Sequence, residues 1–210
     1  NNTIAGTQFK NFPISRIPLI CDMSSDIFSK EINVGDFDMI YAGAQKNMGP
    51  AGTTLYIVKE SALGKTGNNI PTMLDLQTHI KKDSMFNTPP VFAIYVSMLT
   101  LEWLKGLGGV SVIEKMNQEK ADLLYNEIDR NGLFKGVVEK EDRSNMNATF
   151  VLTNDSLKDQ FDEMWQAANI SGIKGHRSVG GYRASMYNAL PKESVQVLVD
   201  VMKSFEEKYG

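Results

Sequence analysis

Paired cysteines are missing from this sequence. Cys21 has no partner for an internal disulfide, and one cysteine with two histidines is too few ligands for a structural zinc site. A chain without disulfides is expected in a reducing, cytoplasmic setting. Long apolar runs are missing too: no stretch approaches the ~20 residues of a membrane-spanning helix, so no membrane partner is expected. The opening Asn1-Asn2-Thr3-Ile4-Ala5-Gly6 has neither a charged start nor an apolar core, which argues against a signal peptide. It also lacks an initiating Met, and the chain reads as cut from something longer. Charge of one sign is not in excess, with 22 Lys+Arg against 25 Asp+Glu and a net charge of -3. That balance does not fit a broad nucleic-acid surface, whose affinity comes from neutralising phosphates. It leaves room for a local cationic pocket.

What is present is globular. Hydrophobic residues make up 42% and charged residues 22% of 210 positions, enough for one large domain or two small ones. The first half reads as short strands and loops. Ile17–Cys21 is a continuous apolar run, expected to be a strand buried on both faces of a parallel sheet. Phe37–Ala42 and Thr53–Val58 are two more strands, with Gly49-Pro50-Ala51-Gly52 as a turn between them. The stretch 73–82 fits either helix or loop. After Pro89-Pro90 a helix runs to Gly106, with Val91, Ile94, Tyr95, Met98, Leu101 and Leu104 at helical spacing. Gly106-Leu107-Gly108-Gly109 is the strongest breaker and sets the expected boundary between residues 1–105 and 106–210.

Beyond that break, Val110 to about Arg130 is a helix closed by Asn131-Gly132. Strands are expected at 135–138, 147–152 and 181–187, and helices at 157–169 and 195–209. The fold class is α/β: a strand-rich layer followed by a smaller α+β domain. In open α/β sheets, ligands gather at the carboxyl ends of strands. Asp22 and Lys46 both stand just past such an end.

Lys46 sits among Gly43, Ala44, Asn47 and Gly49, on a small-residue turn that another group could approach closely. A lysine amine with a lowered pKa can form a Schiff base with a carbonyl, although a turn lysine alone is more often merely exposed. Asp22 strengthens the chemical reading. A carboxylate beyond a strand is either a cap or a partner for a cation, and the neighbouring Ser24, Ser25 and Asp26 can cap equally well. Lysine with aspartate is the pair that pyridoxal phosphate needs, one as anchor and one to keep the ring nitrogen protonated. Two adjacent strands would bring both to one rim.

Four segments resemble one family in its own order. They are Gly43-Ala44-Gln45-Lys46-Asn47-Met48-Gly49-Pro50-Ala51-Gly52, Ser84–Pro90, Gly175–Gly181 and Arg183–Ala189. Together they are similar to the phosphoserine aminotransferases, class V pyridoxal-phosphate enzymes of fold type I. The resemblance covers nearly the whole chain and lacks the family's N-terminal portion. It implies the C-terminal part of a large, mostly parallel cofactor-binding domain, then a small α+β domain.

By the same resemblance, Lys46 carries the cofactor and Asp22 pairs with its ring nitrogen. Thr3 bonds the ring hydroxyl, and Gln45 contacts the cofactor phosphate. Asn87 and Thr88 reach the phosphate of the neighbouring subunit, making the site a homodimer property. His176 and Arg177 recognise the substrate phosphate, and Arg183 clamps the α-carboxylate with the planar fork that lysine lacks. The implied reaction moves an amino group between glutamate and 3-phosphohydroxypyruvate, giving 2-oxoglutarate and phosphoserine; the resemblance leaves open whether the related 4-phosphohydroxythreonine of vitamin B6 synthesis is also a substrate. Other readings stay beside it. An alanine–glyoxylate type of class V aminotransferase has no use for the second anion site at His176-Arg177, and a silent folded piece would only dimerise. By composition alone, Asn87-Thr88 could start a helix, His176-Arg177 could be a solvated turn, and Arg183 could be a surface ion pair.

Overall fold

The computed structural model describes residues 1–210 and falls into two compact units. Pro13–Leu107 form one; Gly108–Gly210 together with Asn1–Phe12 form the other. The break lies inside the glycine-rich segment, but the first twelve residues depart from the expected 1–105 grouping. Backbone bonding explains the departure. Thr7 bridges to Asn2 and to Arg143. The Gln8 N–H donates to the Asp142 carbonyl at 2.8 Å, and the Ser144 N–H donates to that of Gly6 at 2.9 Å. Peptide groups of this segment that do not pair with one another find partners in the later unit's chain.

In Pro13–Leu107, three strands form one sheet in the order β1 (Ile20–Asp22), β2 (Met39–Gly43), β3 (Thr54–Val58). β1 and β2 run parallel and β3 is antiparallel to β2, so the sheet is mixed. Ile40 and Ala42 point into the core from β2 at 1% and 0% exposure. β1 does not follow the expectation of burial on both faces. Ile20 is 57% exposed, because β1 is an edge strand whose sheet neighbour is β2 alone.

The stretch 73–82 contains a short helix, α1 (Leu76–Ile80), capped by the Asp75 side chain on the Gln77 N–H. The long helix α2 spans Val91–Gly106, and its inward face differs from the expected apolar stripe. Ala93, Ser97 and Leu104 are buried, whereas Val91, Ile94, Tyr95 and Met98 are exposed. Close backbone approach is the reason. A Cβ on Gly49 would lie 3.1 Å from Ser97 Cα and 2.7 Å from its Oγ. Small residues on α2 and glycine in the turn let the segment just after Lys46 lie directly against the helix.

The other unit holds α3 (Val110–Arg130), β4 (Phe134–Gly136), β5 (Asn147–Leu152), α4 (Lys158–Ala167), β6 (Tyr182–Ser185) and α5 (Lys192–Tyr209). Its sheet is antiparallel throughout, in the order β4-β5-β6. β5 is central and buried nearly along its whole length. Leu124, Ile128, Phe150, Phe161, Met202 and Phe205 fill the space between helices and sheet. Phe161 meets both Phe134 and Tyr182 edge to face, with ring centroids 5.0 Å apart in each pair. Asn131 closes α3 as expected, its N–H donating to the Glu127 carbonyl.

One buried cation ties this unit together. Lys120 of α3 is 2% exposed. Its Nζ donates to the carbonyls of Met186, Tyr187 and Leu190 at 3.2, 2.9 and 3.1 Å, using all three ammonium hydrogens. That contact fixes the chain between β6, which carries Arg183, and the start of α5.

Candidate active site

Asp22 and Lys46 follow the carboxyl ends of two adjacent parallel strands. In register, Asp22 faces Tyr41, so the two side chains neighbour each other on the sheet. The Asp22 carboxylate accepts the Ser24 N–H at 2.8 Å, closing a tight turn after β1. It therefore does cap, and it stays exposed to other partners as well. Burial pushes its pKa up, but hydrogen bonds from Ser24 and Tyr41 and the nearby Lys46 charge outweigh that, leaving it below the ordinary carboxylate value. Asp22 is an anion at neutral pH.

Lys46 leaves β2 through a compressed turn. The Ala44 carbonyl accepts the N–H groups of Lys46, Met48 and Gly49 at 2.7, 3.2 and 2.7 Å. The Lys46 Nζ is half-buried and donates to Ser25 Oγ. Ser25 itself is buried, and Ser24 Oγ accepts the Gly43 N–H at 3.0 Å. Asn47 is buried too, and its Nδ2 donates to the Ile27 carbonyl at 3.0 Å, pinning the lysine turn to the segment after β1. Tyr41 is not marked by the sequence, which offers Ser24 and Ser25 only as alternative caps and Asn47 only as part of the lysine turn. Aligning β1 with β2 at their carboxyl ends would have found Tyr41; nothing marks the serines beyond capping.

Gln45 is exposed beside Lys46. Asn87 and Thr88 are exposed ahead of α2, and they do not start that helix: its N-cap is Pro90, with no side-chain cap. Asp22, Gln45, Lys46, Asn87 and Thr88 all belong to the Pro13–Leu107 unit, and Asp22 and Lys46 are the pair that the strands bring together.

Thr3, His176, Arg177 and Arg183 belong to the other unit. His176 and Arg177 sit in a closed loop, Gly175–Gly181. Its ends are joined by a Gly175 N–H to Gly181 carbonyl bond of 2.8 Å and by the antiparallel bridge of Lys174 with Tyr182. The His176 carbonyl accepts the N–H groups of Val179 and Gly180 at 2.9 and 2.8 Å. The loop is so tight that a Cβ on Gly175 would fall 1.9 Å from the Gly180 carbonyl oxygen. His176 Nδ1 and Ser178 Oγ are hydrogen-bonded at 2.7 Å. Arg177 is exposed and has no carboxylate partner.

Arg183, on β6 opposite Thr149, is not a surface ion pair. Its Nε is buried without an acceptor, and its Nη1 reaches only the Thr3 carbonyl at a long 3.5 Å. A guanidinium held this way has donors to spare for a carboxylate. Thr3 and Arg183 are thus neighbours; His176 and Arg177 lie on the loop that leads into β6.

The family model for aminotransferase class-V matches residues 7–198. The chain is 70% identical over 208 residues to the phosphoserine aminotransferase of Flavobacterium psychrophilum, covering 99% of this chain and 58% of that protein. Among solved structures it resembles the phosphoserine aminotransferase of Bacillus circulans subsp. alkalophilus, with a TM-score of 0.95 and 44% identity over 100% of this chain and 59% of the other. It also resembles the pyridoxal-phosphate-bound phosphoserine aminotransferase of Trichomonas vaginalis, with a TM-score of 0.91 and 37% identity over 97% and 58% of the two chains. The chain thus spans about 58% of the length of these curated relatives. A family model that covers all but a few residues at each end, on a fold that sets lysine and aspartate at adjacent strand ends, makes this chain a member of the class V aminotransferase family.

Proposed function

We propose that this chain is the cofactor-anchoring part of a phosphoserine aminotransferase, acting on glutamate and 3-phosphohydroxypyruvate and, by the same anion site, on 4-phosphohydroxythreonine. The observation that carries the reading is the Asp22–Lys46 pair at neighbouring strand ends, with Asp22 held ionised. These residues fit pyridoxal phosphate. Asp22 is an exposed carboxylate that can accept a ring N–H, and Lys46 presents its amine on a turn fixed by Ala44 and Asn47. When bound, the cofactor supplies a conjugated electron sink for the electrons released at the substrate Cα.

The chain's own residues do the rest. Lys46 would hold the cofactor, and its amine would carry the proton to and from the substrate Cα. Asp22 keeps a proton on the ring nitrogen throughout. Thr3 and Gln45 orient the ring hydroxyl and the phosphate, while Asn87 and Thr88 serve the cofactor phosphate of a second copy in a homodimer. Their exposure and their not being used as a cap support that role. Arg183 takes the α-carboxylate common to all substrates, and its unpaired Nε supports that assignment. His176 and Arg177 take the phosphate. The lack of a cysteine pair fits a cytoplasmic setting.

Half-reaction kinetics of the cofactor-loaded protein test the substrate choice. Arg177→Ala should lower kcat/KM for phosphoserine roughly ten- to two-hundredfold, the effect of losing one charge-assisted bond, and spare glutamate comparatively. Equal loss for both amino acids would remove the phosphate site and leave an aminotransferase of another substrate class.

A further inference from the structure

We infer that Asp162 of α4 is the positioning residue for the His176-Arg177 loop, so that the phosphate affinity of the proposed site depends on a carboxylate that does not itself contact phosphate. This rests on the assignment of His176 and Arg177 to a substrate phosphate. The loop Gly175–Gly181 has two stem residues, Lys174 and Tyr182, paired as an antiparallel bridge. Both reach the same carboxylate. Lys174 Nζ donates to Asp162 Oδ2 at 3.3 Å, and the Tyr182 hydroxyl donates to Oδ1 at 2.9 Å. Asp162 therefore grips the loop on either side of His176 and Arg177.

The carboxylate is itself immobilised. It is 7% exposed, and the buried Trp165 of α4 fixes it by donating its Nε1–H to Oδ1 at 3.0 Å; the exposed Lys158 also reaches Oδ2 at 2.9 Å, from solvent and without a link to the loop. Trp165 is buried in the core, so the grip is anchored to packed side chains. The loop carries no anchor of comparable strength within itself. Its own bonds close the ring, and Arg177 and Ser178 are exposed. A buried anion with four donors would be a costly feature if it served stability alone, because an apolar residue of similar volume often does as well. Its arrangement across both stems gives it a use: it fixes where two cationic side chains stand.

The test compares two lysines that share Asp162 Oδ2 but differ in what they hold. Lys174 belongs to the loop stem; Lys158 belongs to α4. Inorganic phosphate and O-phospho-L-serine are titrated into the full 210-residue chain, with binding followed by the His176 ring resonances and folding by thermal melts. Lys174→Met should weaken both ligands about five- to tenfold, in line with the loss of the loop stem's charge-assisted contact to Asp162. Lys174→Arg should restore affinity to within about twofold, since it keeps a donor for the carboxylate. Lys158→Met removes the same charge from the same oxygen and should leave both affinities within about twofold of the parent. Asp162→Asn should reproduce the Lys174→Met loss; if it unfolds, the lysine pair still decides. Equal weakening in the two lysine variants would show a general charge effect and overturn the positioning role, as would unchanged affinity in Lys174→Met. A parent chain whose His176 ring responds to neither ligand would overturn the phosphate site itself, and with it this inference.

Discussion

Arg183 is the residue at which stability and the proposed function pull in opposite directions. A buried guanidinium Nε without an acceptor costs about 1–3 kcal/mol. Arg183→Lys keeps the charge but loses the fork and the orphaned Nε. Affinity for glutamate and for phosphoserine should fall together, roughly ten- to hundredfold, while the melting temperature holds or rises. Calorimetric melts beside substrate titrations check this; a fall in stability with affinity intact would mean the guanidinium is structural. At this scale the sequence was informative about type more than about setting. Alternation along 181–187 marked Arg183 as a strand residue, but whether it had an ion-pair partner depended on what the fold put opposite. For Asp22 the sequence leaves cap and cation partner both open; the fold shows the cap, on the Ser24 N–H, and leaves the carboxylate exposed.

Among the elements, the contrast between α2 and α3 is instructive. The limits of α2 were readable from Pro89-Pro90 and the glycines after it, but the buried face was not. The turn at Gly49 selects for small side chains rather than large apolar ones, so Ala93 and Ser97 face inward. α3 was read correctly as a helix closed at Asn131, yet its most consequential residue was invisible. Lys120 looks like any helix-surface lysine until the segment after β6 is folded against it. Burial lowers its pKa to about 8, and its three carbonyl acceptors favour keeping the charge. Lys120→Met should cost about 2–4 kcal/mol, since the methylenes are replaced but three carbonyls lose their donor. Urea denaturation measures it. A change below about 0.5 kcal/mol, the size of an ordinary surface substitution, would mean that water reaches those carbonyls and the staple is dispensable.

On the scale of the whole molecule, the junction near Gly106–Gly109 was legible because glycines break helices whatever the tertiary context. The attachment of Asn1–Phe12 to the later unit was not, because its bonds to Asp142 and Arg143 join residues more than a hundred positions apart and leave no local pattern. Nor was the exposure of β1: an apolar run tells of burial only when the sheet's neighbours are present on both sides. The chain sets a lysine turn and an aspartate at adjacent strand ends, and the proposed chemistry rests on their shared use. The most direct measurement is to incubate the 210-residue chain with pyridoxal phosphate, reduce it with borohydride, and map the modified peptide by mass spectrometry. The account predicts one stable adduct on Lys46, lost in Lys46→Ala and weakened in Asp22→Asn. An adduct spread over surface lysines, with Lys46 unmodified, would contradict it.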